Sequence, residues 1–387
     1  MKICILSSFE DSMQRDTGAS VRIYNIAKGL VENGHNVTVV IPKFFSSSET
    51  VDGVKVYSSS GLFPRALLNV LKRFVNVGRS TALYFYDFLF ISRIMPFLMD
   101  SDVIQVEQQS SGGLLIPFIK RVLKKPVVVD CHDVFQASRI KYTSVFRRIL
   151  ELFLEKLAYN TADLLLTVSR IEKDLLVSMG FEGNNIAVIP NGVDTEFFVK
   201  SFSHEELRKR YQAEGYRIVV FVGNLDYYPN REAVEVLSSV VAPTVLNKIR
   251  NVKFLIVGKT SKELKSSTLF FTGFVENVSD VLSISDVAVA PLFHGSGTRL
   301  KILEYLSCGL PVVSTSIGAE GLDVQDGVNI FIEDDLEGFA SRIIDVLSDP
   351  QLSDALGRAA RMVTATRYNW LNITRELGQV FVDNFSA

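Results

Sequence analysis

The sequence has few cysteines, and their spacing argues against metal-centred and disulfide-stabilised folds. Its 387 residues include three cysteines, Cys4, Cys131 and Cys308, which lie far apart and are odd in number. There is no Cys-x-x-Cys pair and no Cys/His cluster, so we expect no metal site. A disulfide framework is equally unexpected, and a reducing, cytoplasmic environment fits the composition better.

The chain also lacks a surplus of positive charge and an uninterrupted apolar run. Lys and Arg number 41 against 43 Asp and Glu, a formal net charge of −2. This balance argues against a nucleic-acid partner. The apolar and aromatic stretch 82–99 contains Asp87, Arg93 and Pro96, so we do not expect a spanning helix there. The apolar run in the N-terminal residues MKICILSSFEDS is too short for a signal peptide.

What the sequence does contain is an alternation of strand-like and helix-like segments. Strands are predicted at 2–7, 36–41, 103–106, 126–130, 163–168, 217–222, 253–257, 286–290 and 311–314. Helices are predicted at 20–33, 113–123, 144–160, 231–246, 298–307 and 368–385. Continuously apolar strands that alternate with helices indicate parallel sheets covered on both faces. The length fits two domains of roughly 190 residues, and the polar stretch 195–215 marks the boundary. We therefore predict an α/β protein with two doubly wound domains.

Two positions in the first half are candidates for ligand contacts, because doubly wound domains bind ligands at the carboxyl ends of their strands. Gly18 precedes a predicted helix, where a phosphate or a sugar hydroxyl can approach closely, although a plain loop-to-helix turn fits as well. His132 follows the strand that ends at Asp130, and its alternative is a histidine bonded to backbone. The first strand is followed by Ser7-Ser8-Phe9, so a dinucleotide fingerprint is absent.

The strongest local pattern in the second half is the Gly-Ser-Gly loop at 295–297. A helix is predicted to begin near Thr298 and to carry Arg299 and Lys301 in its first turn. Free backbone N–H groups, the helix dipole and two cations make an anion site suited to a diphosphate. Glu304, further along this helix, can accept hydrogen bonds from vicinal hydroxyls such as those of ribose. The alternative is a surface helix of mixed charge.

Three segments resemble a known family: IPNGVD (189–194), FVGNLDYYPNREAVEVL (221–237) and GSGTRLKILEYLSCGLPVVSTSIGAEGL (295–322). They are similar to glycosyltransferase family four, the glycosyl transferases group one, and most of all to the branch whose nucleotide loop reads Gly-x-Gly-Thr-Arg-Leu-Lys. Residues 17–40 are similar to the N-terminal pattern of this family. The resemblance implies the GT-B fold, two Rossmann-like domains facing a cleft. Residues 1–196 would be the acceptor domain, 197–215 a linker, 216–367 the donor domain, and 368–387 a helix crossing back.

The resemblance also implies an activity. The family transfers a sugar, with retention at the anomeric carbon and without a tightly bound metal, from a donor such as a UDP- or GDP-sugar. The acceptor would be a glycan, a lipid-linked or a small molecule, in cell-envelope polysaccharide or glycoconjugate synthesis. A GT-B-type epimerase or hydrolase, or an inactive nucleotide-sugar-binding protein, remains the alternative.

The resemblance also implies site residues, wherever a position of this sequence matches a motif of the family. Glu304 corresponds to the second glutamate of the Glu-x7-Glu pattern, which binds the donor ribose, and Arg299 and Lys301 to the groups that hold the diphosphate. His132 resembles the N-domain histidine near the transferred sugar. The remaining donor-binding positions are Gly18, Asn224, Gly273, Phe274, Gly295, Ser296, Gly297 and Thr298. Two departures leave the donor sugar open: Ser296 replaces the first glutamate, and Asn224 and Asn230 stand where many members have Arg and Lys.

Residues 64–79 carry four basic residues and no acid. Apolar residues recur at helical spacing among them, a pattern typical of an interfacial helix that binds an anionic membrane surface. Packing of the apolar residues against the sheet, with the cations in water, is the equal alternative. The sequence therefore predicts a cytoplasmic protein, and the first interpretation adds peripheral binding to the inner face of a membrane.

Overall fold

The computed structural model describes residues 1–7, 12–14, 17–43, 46–60, 88–107, 115–132, 134, 145–198, 205–261, 266–295 and 297–386. They form two compact units, each built on a sheet with parallel strands. Unit 1 contains Met1–Asn191 and Trp370–Ala387, and unit 2 contains Gly192–Asn369. The predicted class, two doubly wound α/β domains, is confirmed.

Unit 1 is built on an eight-stranded sheet. Its strands are β1 (Lys2–Leu6), β2 (Asn36–Pro42), β3 (Ser47–Val51), β4 (Val54–Ser59), β5 (Val103–Glu107), β6 (Val127–Cys131), β7 (Leu164–Thr167) and β8 (Ile186–Val188). They lie in the order β3-β4-β2-β1-β5-β6-β7-β8. Every neighbouring pair is parallel except the β3–β4 hairpin.

In the described part of unit 1, five helices lie between these strands along the chain. They are α1 (Gly18–Glu32), α2 (Phe88–Asp100), α3 (Leu115–Phe118), α4 (Val145–Thr161) and α5 (Arg170–Ser178). A π-helical turn, Ile119–Leu123, continues α3, and a 3₁₀ turn, Gly183–Asn185, precedes β8. Side chains of β1 alternate between two cores, Ile3 and Ile5 to one and Cys4 and Leu6 to the other. The sheet is thus covered on both faces, which explains why its strands are continuously apolar.

Unit 2 is built on a six-stranded parallel sheet. Its strands are β9 (Arg217–Val222), β10 (Val252–Val257), β11 (Leu269–Gly273), β12 (Val287–Ala290), β13 (Val312–Ser314) and β14 (Phe331–Ile332), in the order β11-β10-β9-β12-β13-β14. Its helices are α6 (Glu205–Arg210), α7 (Tyr228–Val236), α8 (Ala242–Lys248), α9 (Val278–Ser283), α10 (Leu300–Ser307), α11 (Leu336–Ser348) and α12 (Pro350–Arg367). A π-helical turn, Leu237–Val241, joins α7 to α8, so that Pro243 falls in the first turn of α8.

The stretch 197–215, expected as a linker, packs in part with unit 2. Residues 205–210 form α6, with glutamates in its first turn and basic residues in its last, as the helix dipole favours. Tyr211 and Ala213 are 7% and 0% exposed and belong to a core of unit 2. Residues 199–204 lie outside the described residues.

The last described helix, α13 (Trp370–Phe385), belongs to unit 1 although it follows unit 2 in the chain. Four of its residues enter the core formed by α1 and the sheet: Trp370, Ile373, Leu377 and Phe381. Gly29 of α1 allows the two helices to approach closely, because a Cβ there would lie 2.2 Å from Oγ1 of Thr374. Unit 1 is therefore assembled from two distant segments of the chain.

No helix in the described part of the chain is both long enough and apolar enough to cross a membrane. The basic segment 64–79 lies outside the described residues.

Candidate active site

A cluster of charged side chains lies at the carboxyl edge of the unit 1 sheet. Glu107 ends β5, and it is paired in register with Asp130 of β6, so the two carboxylates lie side by side. His132 follows β6 directly, and its Nε2 lies 2.6 Å from Oε2 of Glu107 and 4.0 Å from Oδ2 of Asp130. Both carboxylates are 0% exposed.

Arg22 of α1 closes this cluster from the helix side. Its Nε and Nη2 donate to the two oxygens of Asp130 at 2.8 and 2.9 Å, and its Nη1 donates to the carbonyl of Pro190 and to Oδ1 of Asn191, both at 3.1 Å. Arg22 is 1% exposed. Gly18, the predicted donor residue, is the first residue of α1 and lies one turn before Arg22. Thr17 caps this helix, and its side chain accepts from the backbone N–H of Ser20.

The electrostatics favour one extra proton in the cluster. Burial and the adjacent Asp130 carboxylate raise the pKa of Glu107. Burial works to lower the pKa of His132, but the Glu107 hydrogen bond and the Asp130 charge outweigh it and raise the pKa above its ordinary value. With His132 protonated, two cations face two anions. An arrangement that buries no net charge is the least costly one.

Glu107, Asp130 and His132 also have the donor types and proximity of a metal site, since their ligand atoms lie within 4.8 Å of one another. Arg22 already binds both oxygens of Asp130. Gln105 Nε2 donates to Oε1 of Glu107 at 2.5 Å, while Oε2 bonds to His132. A cation would have to displace these bonds, so the cluster fits an internally neutralised network better than a metal centre.

In unit 2, the turn after β9 holds Lys301 at the carboxyl edge of the sheet. Asn230 is 7% exposed, and its Nδ2 donates to the carbonyl of Asn224 at 2.8 Å while its Oδ1 accepts from Nζ of Lys301 at 2.8 Å. The ammonium lies 4.4 Å from the centre of the Phe221 ring, which adds a cation–π contact. A Cβ at Gly223 would lie 2.9 Å from Nζ, so glycine leaves the room that Lys301 occupies.

Lys301 and Glu304 lie three residues apart on α10, where side chains are neighbours on the helix surface. Burial lowers the pKa of Lys301 to about 7, an effect that Glu304 opposes and Arg299 reinforces. Burial raises the pKa of Glu304 to about 7, against the attraction of Lys301. Both groups are poised to change charge near neutral pH. An anion beside Lys301 or a hydroxyl pair on Glu304 would favour the charged forms.

The helix that follows the glycine loop begins later in the structure than the sequence predicts. Helix α10 begins at Leu300, and Arg299 is the N-cap with extended backbone angles, φ −90° and ψ 98°. The predicted start at Thr298 is therefore early by two residues, and Arg299 lies before the first turn rather than in it. The cause is the loop itself: Gly295 and Gly297 have φ of 127° and 74°, in the left-handed region that favours glycine.

The side chain of Arg299 folds back on this loop. Its Nη1 donates to the carbonyl of Gly297, and a Cβ at Gly295 would lie 2.9 Å from its Nη2. Gly295 thus leaves room for the guanidinium. Ser296 lies outside the described residues.

The segment predicted to face the nucleobase ends the neighbouring strands. Gly273 is the last residue of β11, with φ of 74°, and its carbonyl accepts from the backbone N–H of Gly258 at 3.0 Å. A Cβ at Gly258 would lie 1.9 Å from the carbonyl oxygen of Gly223. Three glycines therefore bring three strand ends into close contact. Phe274 follows with 72% of its surface exposed.

The structure thus gathers Asn224, Lys301 and Glu304 at one edge of unit 2 and His132 in the cluster of unit 1. No sequence motif indicates a role for Arg22, Glu107 or Asp130. A charged residue at the end of each apolar strand, VIQVE and PVVVD, was the available signal for the two acids. Nothing in the local pattern marks Asn230 as the partner of Lys301, because 71 residues separate them.

Comparisons with known proteins agree with the fold. The model of Glycosyltransferase Family 4 matches residues 17–197, and that of Glycosyl transferases group 1 matches residues 216–349. Together the two cover most of the chain.

Two curated relatives and one solved structure are similar over long stretches. The sulfoquinovosyl transferase SQD2 of Arabidopsis thaliana is 26% identical over 74% of this chain, and the match spans 57% of that protein. The UDP-Gal:alpha-D-GlcNAc-diphosphoundecaprenol alpha-1,3-galactosyltransferase of Escherichia coli is 24% identical over 71% of this chain and 73% of its own. The structure of Anabaena HepE (Alr3699) in complex with UDP superimposes with a TM-score of 0.74 at 16% identity, covering 99% of this chain and 100% of that one. One assignment follows from the two α/β sheets, the two family models and these similarities: the chain belongs to the group 1, family 4 glycosyltransferases and has their GT-B fold.

Proposed function

We propose that this protein is a retaining glycosyltransferase that takes a sugar from a nucleoside diphosphate donor, UDP- or GDP-linked, without a tightly bound metal. The observation that carries the proposal is the Lys301 site of unit 2. A half-buried ammonium, held by Asn230 and the Phe221 ring, lies one helical turn from the half-buried carboxyl of Glu304. A cation and a carboxylate at this spacing complement a diphosphate and a ribose.

The roles follow from the chemistry of each group. Lys301 and Arg299 stabilise the charge that develops on the leaving diphosphate, which makes them catalytic as well as binding residues. Glu304 accepts from the ribose hydroxyls, and the backbone around Gly273 and Phe274 faces the base. Gly18, Asn224, Gly295, Ser296, Gly297 and Thr298 complete the proposed donor contacts. His132 is the proposed catalytic residue of unit 1.

Retention without an enzyme nucleophile implies front-face displacement, in which the acceptor attacks from the side that the diphosphate leaves. The resemblance supports this step of the proposal. A product analysed by NMR for its anomeric configuration tests it directly: inversion of the anomeric centre contradicts the retaining assignment.

The first experiment is a thermal-shift panel of UDP, GDP and ADP and their common sugars, with and without EDTA. A ligand at 100 times its dissociation constant stabilises the folded state by about 2.7 kcal/mol. We expect a uridine or guanosine diphosphate to stabilise the protein equally with EDTA present. A shift that EDTA abolishes contradicts metal independence, and no shift with any nucleotide contradicts the donor assignment.

Release of the nucleoside diphosphate separates the remaining candidates. A transferase releases it faster when an acceptor is added, a hydrolase releases it at the same rate without one, and an inactive binding protein does not release it. An epimerase is recognised by the altered sugar in the recovered donor.

For the acceptor we propose a glycan or a lipid-linked sugar, in envelope polysaccharide or glycoconjugate synthesis. The name of the Escherichia coli relative gives an undecaprenol diphosphate-linked sugar as its acceptor. We further propose that residues 64–79, rich in Arg and Lys, bring the protein to an anionic cytoplasmic membrane surface. Co-sedimentation with anionic but not neutral vesicles, lost in high salt and in a Lys72→Glu/Arg73→Glu variant, tests the membrane proposal. Absence of binding at low salt contradicts it.

A further inference from the structure

Glu107 is a fully buried carboxylate at an edge where ligands bind. It is 0% exposed, and it ends β5 at the carboxyl edge of the unit 1 sheet. A carboxylate in the protein interior is costly unless it is hydrogen bonded. Its two oxygens are bonded, one to Gln105 at 2.5 Å and one to His132 at 2.6 Å. A carboxylate retained at such a cost beside a proposed catalytic histidine points to a function for the pair.

The contact fixes the histidine ring. Because Nε2 is taken by Glu107, a ligand of His132 has to be contacted through Nδ1 or the ring carbons. The bond to one nitrogen sets the proton on the other and the plane of the ring. Asp130 cannot take the place of Glu107, since both its oxygens accept from Arg22 and it lies 4.0 Å from Nε2.

We propose that Glu107 is a positioning residue for sugar transfer: its bond to Nε2 of His132 fixes the tautomer and the plane of the ring that contacts the sugar. The inference rests on the proposed function and adds to it a residue that no motif marks. In this role no covalent bond forms at the histidine.

The charges that face His132 agree with this role. Glu107 on β5 and Asp130 on β6 are negative, and Arg22 on α1 is positive. The thiol of Cys131 is buried beside Asp130 and has its pKa raised, so it carries no charge. Glu172 of α5 acts on Arg22 rather than on the ring. A protonated His132 balances the set, and a protonated ring has a hydrogen on both nitrogens.

The test begins with the wild-type full-length chain, labelled with ¹⁵N at histidine. The sequence has only four histidines, so the loss of one signal in His132→Gln assigns its ring. We expect the pKa of His132 to lie above 6.5, the ordinary value, and the proton that remains at higher pH to be on Nε2. A neutral ring protonated on Nδ1 overturns the proposal even before any variant of Glu107 is made.

Glu107→Gln then removes the charge and keeps the shape. We expect the pKa of His132 to fall, because the hydrogen bond to a charged partner and the charge of Glu107 both raise it in the wild type. Glu155→Gln is the matched control, because Glu155 is a buried glutamate of the same unit, 4% exposed on α4. It should leave the pKa of His132 unchanged. An unchanged pKa in Glu107→Gln, or the same change in both variants, overturns the proposal.

The second readout is turnover with the nucleotide sugar that gives the fastest release of UDP or GDP in the panel above. Glu107→Gln should lower turnover by about 10–100-fold, a usual cost of removing the partner that orients a histidine. The affinity for UDP or GDP alone should stay within about twofold, and Glu107→Asp should recover part of the turnover. Equal turnover in wild type and Glu107→Gln overturns the positioning role alone. A wild type that turns over no nucleotide sugar overturns the proposed function, and this role with it.

Discussion

Nucleotide binding at Lys301 should take up a proton, and the structure sets the scale of the effect. Burial lowers the pKa of Lys301 to about 7, so above this pH the unliganded side chain is mostly neutral. A diphosphate beside Nζ favours the ammonium and returns the pKa toward its usual range. Binding therefore requires a proton, and the dissociation constant should rise about tenfold per pH unit above 7. Between pH 7 and pH 9 this amounts to roughly 50-fold, or about 2.3 kcal/mol.

Calorimetric titration with UDP, or with GDP if that is the preferred nucleotide, measures the uptake in two buffers of different ionisation enthalpy. At pH 8.5 the terminal phosphate is fully ionised, since its second pKa is about 6, so the proton reports on the protein. We expect nearly one proton per nucleotide in the wild type and none in Lys301→Met, whose side chain still covers the Phe221 ring. Lys248→Met, at an exposed lysine that ends α8, is the matched control and should behave as the wild type.

The affinity gap between the wild type and Lys301→Met carries the same information. Near pH 7 the lost charge-assisted bond should cost about 1.5–3 kcal/mol. The gap should narrow at higher pH, because the wild type then has to recruit its proton. A Lys301→Met protein that keeps the wild-type pH slope, or a wild type that takes up no proton at pH 8.5, would refute the reasoning.

Three further predictions concern Glu304, the buried ion pair and the helix contact of unit 1. Glu304→Gln should weaken the binding of UDP or GDP by about 1–3 kcal/mol above pH 7 and progressively less below it, because the pKa of Glu304 is raised to about 7 and the protonated acid resembles the amide. Inorganic pyrophosphate, which has no ribose, should bind the wild type and the variant equally. An equal loss of affinity for pyrophosphate and for the nucleotide contradicts the ribose role. Asp130→Asn should lower the free energy of unfolding in urea by about 3–5 kcal/mol, because it leaves Arg22 buried without its counter-charge; a loss under 1 kcal/mol contradicts this view. Gly29→Ala should lower the free energy of unfolding by about 1–3 kcal/mol in the same assay, since the added Cβ meets Thr374. Adding Thr374→Ala to this variant should restore much of the lost stability. A double variant that is no more stable than Gly29→Ala would show that this contact is not the cause.

The sheets were predictable because their signals are local. Continuous apolar strands between amphipathic helices gave the doubly wound class. The β3–β4 hairpin was missed although its signal was present: Asp52 and Gly53 have φ of 49° and 80° and form a tight turn between two short strands. The charged residues in 197–215 favour a linker by composition alone, whereas their order, acids first and bases last, suits the helix that residues 205–210 form.

The site was predictable only where its residues are close in sequence. The glycine loop, Lys301 and Glu304 lie within ten residues, and their pattern indicates an anion site. Helix α10 starts later than predicted, because two glycines with left-handed backbone angles, Gly295 and Gly297, precede it, and composition does not reveal these angles. The pairing of Glu107 with Asp130 depends on which strands are neighbours, and the bond between Asn230 and Lys301 depends on how the β9 turn meets α10. Both are properties of the assembled sheet.

The place of α13 has a consequence for the order in which the protein is made. Unit 2 is contiguous, so all of its residues have been synthesised once Asn369 has been added. Unit 1 is not: its sheet and first helices emerge early, but the core face that receives Trp370, Ile373, Leu377 and Phe381 stays uncovered until the last described helix leaves the ribosome. Chains that terminate early expose that apolar face, which chaperones and proteases recognise. Unit 1 is thus begun first in synthesis and closed only after unit 2 has been made.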